Sequence, residues 1–357
     1  MTCIRADSGL YLFIALYTLA GLAFLDMAGA SDQASYAIYV TRWLTLFGFL
    51  LPVVSFGLHL ILLVHRFDSR RRLAARRIFS PSHLAHFASG ICLLMAMMLF
   101  QGTFTSVKNA AVVWHQGFPY DRVQADLDAA IHFGTDPWRF LFEVAGSDLV
   151  RIVVEWNYNV LWFVICFGAL FFVATSPKAA HVRTRYILGF MLVWTVVGNL
   201  LAGLFLSAGP AFYGHVTGDT ARFAEQLAFL AHGADMPNSA AAYQSYLWNL
   251  HAAGLTGFGS GISAFPSMHV GLITLNALFV WEHSRRLGIL AFAYVAFVLA
   301  SSVYLAWHYA IDGYAAIAAT TVLYMVVRKL VPSGGRQRNP EPSAIGSRPI
   351  GGALKAS

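Results

Sequence analysis

Apolar residues run along this chain in long blocks separated by short charged breaks. A block of about 20 apolar residues is what a helix needs to cross the hydrocarbon layer of a bilayer. Eight such blocks stand at about 10–29, 44–65, 84–105, 153–174, 186–206, 264–281, 287–307 and 310–328. They predict an all-α fold: a polytopic membrane helical bundle of about eight transmembrane helices, with short interfacial helices in the outer loops. The chain divides into N-terminal membrane helices (1–105), an outer interfacial cap (106–152), a helical core carrying the chemistry (153–331) and a tail (332–357) rich in Gly, Ser, Pro and Arg that reads as disordered.

Composition supports the membrane reading. Hydrophobic residues make up 58% of the chain and charged residues only 11%, whereas soluble domains carry about a quarter. The net charge of +7 comes from basic residues scattered between the spans. It therefore points to anionic lipid as the partner and away from nucleic acid. Arg66, Arg70, Arg71, Arg72, Arg76 and Arg77 all fall between the second and third blocks, which places that link in the cytoplasm. Alternation then brings Lys178, Arg183, Arg185, Arg285, Arg286, Arg328 and Lys329 to the same side and leaves both termini there. The expected setting is a bacterial inner membrane with the site on the periplasmic face.

The first block admits a competing reading. Arg5, an apolar run and Ala28-Gly29-Ala30 resemble a cleaved signal peptide, although the run is long for one and Asp26 sits close to the cut. The later spans stand under either reading. Cys92 and Cys166 lie inside apolar runs and Cys3 near the start, so no spacing suggests a disulfide framework or a zinc site.

Two long segments, 106–152 and 207–262, fall on the outer side. Such lengths usually make caps or binding loops. The first carries Trp114, His115, Phe118, Tyr120, Trp138, Phe140 and Phe142, aromatics suited to the headgroup level.

The residues that suggest chemistry lie at the outer ends of the last three spans. His308 and Asp312 are four apart. On a continuous helix they share a face, so the carboxylate can accept one ring N–H, fix the tautomer and leave the other nitrogen as nucleophile or base. His269 follows Pro266-Ser267-Met268. Proline suits the first turn of a helix, and the free N–H groups there, with the Ser267 hydroxyl, form a cradle for phosphate oxygens. A hairpin of spans six and seven brings both histidines to one membrane face, with a nucleophile on one side of a phosphoryl group and an acid on the other.

These residues resemble the type 2 phosphatidic acid phosphatase superfamily. Its second motif, Pro-Ser-x-His, is met by Pro266 to His269, and its third by Ser301, His308 and Asp312. Ser302 stands where that motif normally has a phosphate-gripping arginine. The first motif is replaced by Ser207-Ala208-Gly209-Pro210-Ala211-Phe212-Tyr213, which is similar to the inositol phosphorylceramide synthase branch. The resemblance implies a phosphatase or inositolphosphotransferase-like enzyme of lipid (sphingolipid) metabolism acting through a phosphohistidine. His308 is the implied nucleophile, Asp312 its orienting partner and His269 the general acid. Neither metal nor cofactor is implied. The implied partners are a lipid phosphate or phospholipid donor and a lipid acceptor.

Lys108, Arg122, Arg139, Arg151 and Arg222 are the candidates to replace the missing arginine. Arg151 and Arg222 are taken as substrate-binding together with Ser267, Pro266 and Tyr213. For Arg151, Glu155 at i+4 offers the plainer reading of a structural ion pair. Asn199, Asn276 and Gln101 read as hydrogen-bond glue between helices, with Asn276, seven after His269, a further candidate to line the site. Simple phosphohydrolysis is one alternative. The other is a transporter using His269, His308 and Asp312 as a proton relay, which would require half-helices meeting at mid-membrane.

Overall fold

The computed structural model describes residues 7–66 and 71–331. The expected tail, Arg70 and the start of the signal-like segment lie outside the described residues. Among the described residues there is helix but no strand. Seven helical stretches are long and apolar enough to cross a membrane. They are α1 (Ser8–Met27), α2 (Ser31–His65), α4 (Pro81–His115), α7 (Asp148–Thr175), α8 (Arg183–Leu204), α13 (Arg285–Tyr304) and α14 (Ala310–Leu330). The short α3 (Arg71–Ile78) links α2 to α4. The block expected as span six forms α12 (Met268–His283), at 16 residues the shortest of the eight.

Helix α12 is apolar on all sides because it is surrounded. It packs against α13, α14, α7 and α8, and Val270, Leu272, Ile273, Leu275 and Ala277 are buried along it. Helix α4 holds α1, α2 and α7 against this core. Asn199 and Asn276 act as glue: Asn199 accepts from the Tyr17 hydroxyl, and Asn276 accepts from Tyr186 at 2.6 Å.

One end of the bundle is closed by ion pairs, of which Arg183–Asp7 is buried. Arg183 binds Asp7 at 2.5 Å and donates to the Ala174 carbonyl at 2.9 Å. Glu282 receives Arg185 and, at 3.3 Å, Arg328. The starts of α1 and α8 and the ends of α7, α12 and α14 therefore meet there, as alternating spans require. His269 and His308 lie at the other ends of α12 and α13.

A cap of short helices covers that second end: α5 (Asp121–Ile131) and α6 (Trp138–Ala145), then α9 (Tyr213–Thr217), α10 (Ala224–Ala231) and α11 (Ala240–Ala252). Helix α4 continues to His115 and does not stop near 105. Lys108, expected in the cap, thus stands on a membrane helix.

Candidate active site

Three loops form the floor of the cap, and backbone hydrogen bonds stitch them together. Ala264 N–H donates to Ser207 O at 2.8 Å, Ala211 N–H to Ala306 O at 2.9 Å and Ser267 N–H to Asp312 O at 3.1 Å. Gly209 has φ +93°, and a Cβ there would lie 2.7 Å from the Trp307 carbonyl oxygen. This close approach is why the loop after α8 carries glycine.

Helix α13 ends in a Schellman motif. Ala306 takes the left-handed conformation at φ +59°, its N–H reaches Val303 O, and Trp307 N–H reaches Ser302 O at 3.0 Å. That turn delivers His308. The Asp312 carboxylate, one turn into α14, meets His308 Nδ1 at 3.2 Å and accepts from Tyr309 N–H at 3.0 Å through the same Oδ2. Asp312 is fully buried, and its Oδ1 has no hydrogen-bond partner among the described residues. With Nδ1–H directed to the carboxylate, Nε2 is the nitrogen left for chemistry. Burial pushes the His308 imidazole down to about 3, so the ring is neutral at physiological pH.

Ser267 caps α12, its hydroxyl accepting from Val270 N–H at 3.4 Å. His269 sits in the first turn. Its ring lies against Tyr158 (centroids 4.1 Å apart) and Trp162 (3.9 Å), and Trp162 Nε1–H donates to the His269 carbonyl at 2.9 Å.

His269, His308, Pro266 and Ser263 border one cavity of about 870 Å³, large for a small-molecule site. From the histidines it extends between α2, α4, α7 and α8 along Leu46, Phe104, Phe163, Phe167 and Trp194. Each of α2, α7 and α8 contains a π-helical stretch, at Leu44–Leu50, Asn157–Leu161 and Val193–Leu201. All three stretches contribute lining residues. A π turn interrupts regular helix packing and commonly marks functional positions.

Three of the expected site residues fall elsewhere. Arg151 is buried in ion pairs with Glu155 (3.1 Å) and Asp148 (3.0 Å), so the i+4 carboxylate captured it. Arg222 binds Asp136 at 2.8 Å and Asp126 at 2.6 Å. Tyr213 packs edge-on to Phe223 within the cap. None of the three borders the cavity, and neither does Asn276, which is turned toward Tyr186 and Cys166. Gln101, read as glue, lines the cavity instead.

The sequence reading missed the residues that hold the site together. Asp121 accepts from Ala208 N–H (2.7 Å), Gly209 N–H (2.9 Å) and the Tyr309 hydroxyl (2.8 Å). Two turns further along α5, Asp128 caps α14 by accepting from Ala310 and Ile311 N–H at 3.1 and 3.0 Å. Burial raises both carboxyls against these stabilising N–H contacts. Gln226 and Gln244 donate to the carbonyls of Val303 and Leu305 at the end of α13. The i, i+7 spacing of the two aspartates on one face of α5 was the available signal.

The fold and site together define a polytopic membrane protein with a His/His/Asp pocket opening onto an intramembrane cavity. Residues 124–326 match the family model of the PAP2 superfamily, and the chain belongs to that superfamily. Members are phosphatases and phosphotransferases, so membership supports an enzyme of this kind acting on a lipid phosphate. No curated protein and no solved structure matches the chain.

Proposed function

We propose that this protein is a membrane-embedded lipid phosphatase or phosphotransferase, inositolphosphotransferase-like, working through a phosphohistidine on His308. The observation that carries the reading is the shared cavity: His308, held from behind by Asp312, and His269 border one space whose remaining walls are largely aromatic and aliphatic. Such a space suits an acyl chain while the headgroup phosphate meets the histidines.

In the first half-reaction His308 Nε2 attacks phosphorus and the P–O bond to the leaving group breaks. Asp312 holds Nδ1–H and stabilises the charge gained by the ring. His269 gives its proton to the departing oxygen, its ring held in place against Tyr158 and Trp162. In the second half-reaction His269 takes a proton from water or from an acceptor hydroxyl as that oxygen attacks phosphorus, and the P–N bond breaks to restore His308. Water gives hydrolysis and a lipid hydroxyl gives transfer. The scheme assigns each step to this chain's own side chains, without metal or cofactor. The charge distribution along the sequence supports an active site on the periplasmic side of a bacterial inner membrane.

The test is product analysis. Purified protein is incubated with labelled phosphatidic acid or phosphatidylinositol, with and without ceramide or diacylglycerol. Wild type should release or transfer label and trap an acid-labile phosphoryl group, and His308→Ala should do neither. Equal turnover by both, or inertness of both on every donor, would overturn the reading.

A further inference from the structure

Nothing at position 302 can hold a phosphate. Ser302 is buried, its hydroxyl donates to the Leu299 carbonyl at 2.7 Å, and it does not border the cavity. Arg42 also borders the cavity, but it is exposed and lies over the Phe258 ring at 5.9 Å, and four other arginines of the outer side are committed elsewhere. Arg151 and Arg222 are ion-paired as described, Arg139 binds Glu225 at 3.1 Å, and Arg122 donates to the Thr217 carbonyl.

Lys108 is different. It borders the same cavity as His269 and His308 and interacts electrostatically with both imidazoles. No hydrogen-bond or ion-pair partner is found for it among the described residues. An enclosed ammonium without a counter-charge is expensive to keep. Its place is also fixed. Gly261, at φ +90°, lies so close that a Cβ there would meet Lys108 Cγ at 3.0 Å and Cδ at 3.1 Å. The adjoining Ser260 is held by Asn109 Nδ2–H at 3.1 Å. The Ser260–Gly261 turn thus clamps the stem of the lysine while its head stays in the cavity.

We propose that Lys108 is the cation that grips the substrate phosphate, supplying from helix α4 the charge that Ser302 lacks. The ligand class is the phosphate group of a lipid phosphoester, bound beside His308 with its chain in the apolar part of the cavity. A lysine makes a point contact with rotatable donors, not the bidentate fork of an arginine. The lysine's charge also favours the neutral, nucleophilic form of His308 until substrate arrives. This inference rests on the phosphoryl-transfer reading above, and its test separates the two.

Lys108→Met, Lys108→Gln and Lys108→Arg are prepared in the full-length protein in nanodiscs, each alone and combined with His308→Ala. Short-chain phosphatidic acid and phosphatidylinositol serve as probes for turnover and for binding. A lost charge-assisted contact of this kind corresponds to roughly 10- to 100-fold in affinity. Lys108→Met and Lys108→Gln should therefore weaken binding to the His308→Ala protein by that factor and lower kcat/KM at least as much. Lys108→Arg should restore most of both. Lys108→Met should also melt at a higher temperature than wild type, because it removes an unpaired charge from a half-buried place in a largely apolar cavity; a purely structural lysine would give the opposite shift. If His308→Ala is inactive but binds both probes equally well with and without Lys108, the lysine assignment is overturned and the nucleophile stands. If His308→Ala turns over normally, the underlying reading has failed on its own evidence.

Discussion

Asp121 accepts a 2.8 Å hydrogen bond from the hydroxyl of Tyr309, the residue that follows His308. Through this contact and its two backbone contacts at Ala208 and Gly209, the cap helix α5 fastens two of the three loops that form the site. Asp121→Ala would leave three buried donors without an acceptor, at about 3 kcal/mol or more. Thermal melting should fall clearly and kcat should fall with it, since His308 would lose its lateral support. Unchanged melting would show that the cap is not a structural part of the site.

Asp128 makes a separable prediction. Its carboxylate caps the first turn of α14, the turn that carries Asp312. Asp128→Ala leaves two buried N–H donors without an acceptor, at about 2 kcal/mol, and should loosen the His308–Asp312 distance. A fall in kcat with a smaller loss of melting temperature than for Asp121→Ala is expected. Asp128→Asn, which keeps an acceptor oxygen, should recover part of the rate.

Most of the architecture could be read from the hydrophobic pattern, because crossing a bilayer imposes a length and an apolarity that few other demands mimic. That Pro266, Ser267, His269, His308 and Asp312 stand together was legible for a related reason: their grouping depends on spacing within one or two turns, which sequence preserves. The cation proposed to bind phosphate was not. Arg151 and Lys108 look alike as isolated basic residues near the outer face. What separates them is partners: Asp148 and Glu155 on its own helix for the arginine and, among the described residues, none for the lysine, whose surroundings are set by tertiary packing. The i+4 spacing of Arg151 and Glu155 was visible in the sequence, and it outweighed the appeal of a cation near the site. The extension of α4 to His115, which sets the position of Lys108, lay hidden because a helix that leaves the apolar layer loses the pattern that reveals it.

Asp312 should matter more for rate than for binding. Asp312→Asn keeps the shape but can present an amide donor to Nδ1, favouring the wrong tautomer of His308. By analogy with orienting carboxylates in catalytic triads, kcat should drop roughly a thousandfold or more, while the affinity of His308-competent protein for phosphatidic acid changes little. Single-turnover kinetics with acid-labile label on the protein would separate these quantities.

The depressed His308 also sets a dependence on pH. In the folded protein the ring takes a proton only near 3, whereas an unfolded histidine does so near 6.5. Between these values the unfolded state binds the extra proton, so the contribution is fully present above about 6.5 and is lost as the pH falls toward 3. Wild type should therefore lose melting temperature between pH 7.5 and pH 5, and His308→Gln should lose less over the same interval. Equal losses would show that burial of this ring does not govern the acid sensitivity.

Restoring the motif arginine gives the sharpest contrast between family pattern and this chain. If position 302 were simply an empty phosphate-binding position, Ser302→Arg would tighten phosphate binding and rescue Lys108→Met. The geometry argues the other way. Ser302 is 1% exposed, and its carbonyl receives Trp307 and His308 N–H at 3.0 and 3.3 Å, so it lies inside the turn that positions the nucleophile. A guanidinium there must either displace that turn or remain buried without a counter-charge, and overpacking alone typically costs about 1–3 kcal/mol. Ser302→Arg should lower the melting temperature and leave Lys108→Met unrescued. Rescue with normal melting would instead mean that the cavity can still accept the family's arginine from α13 and that Lys108 is an addition to that scheme, not its replacement.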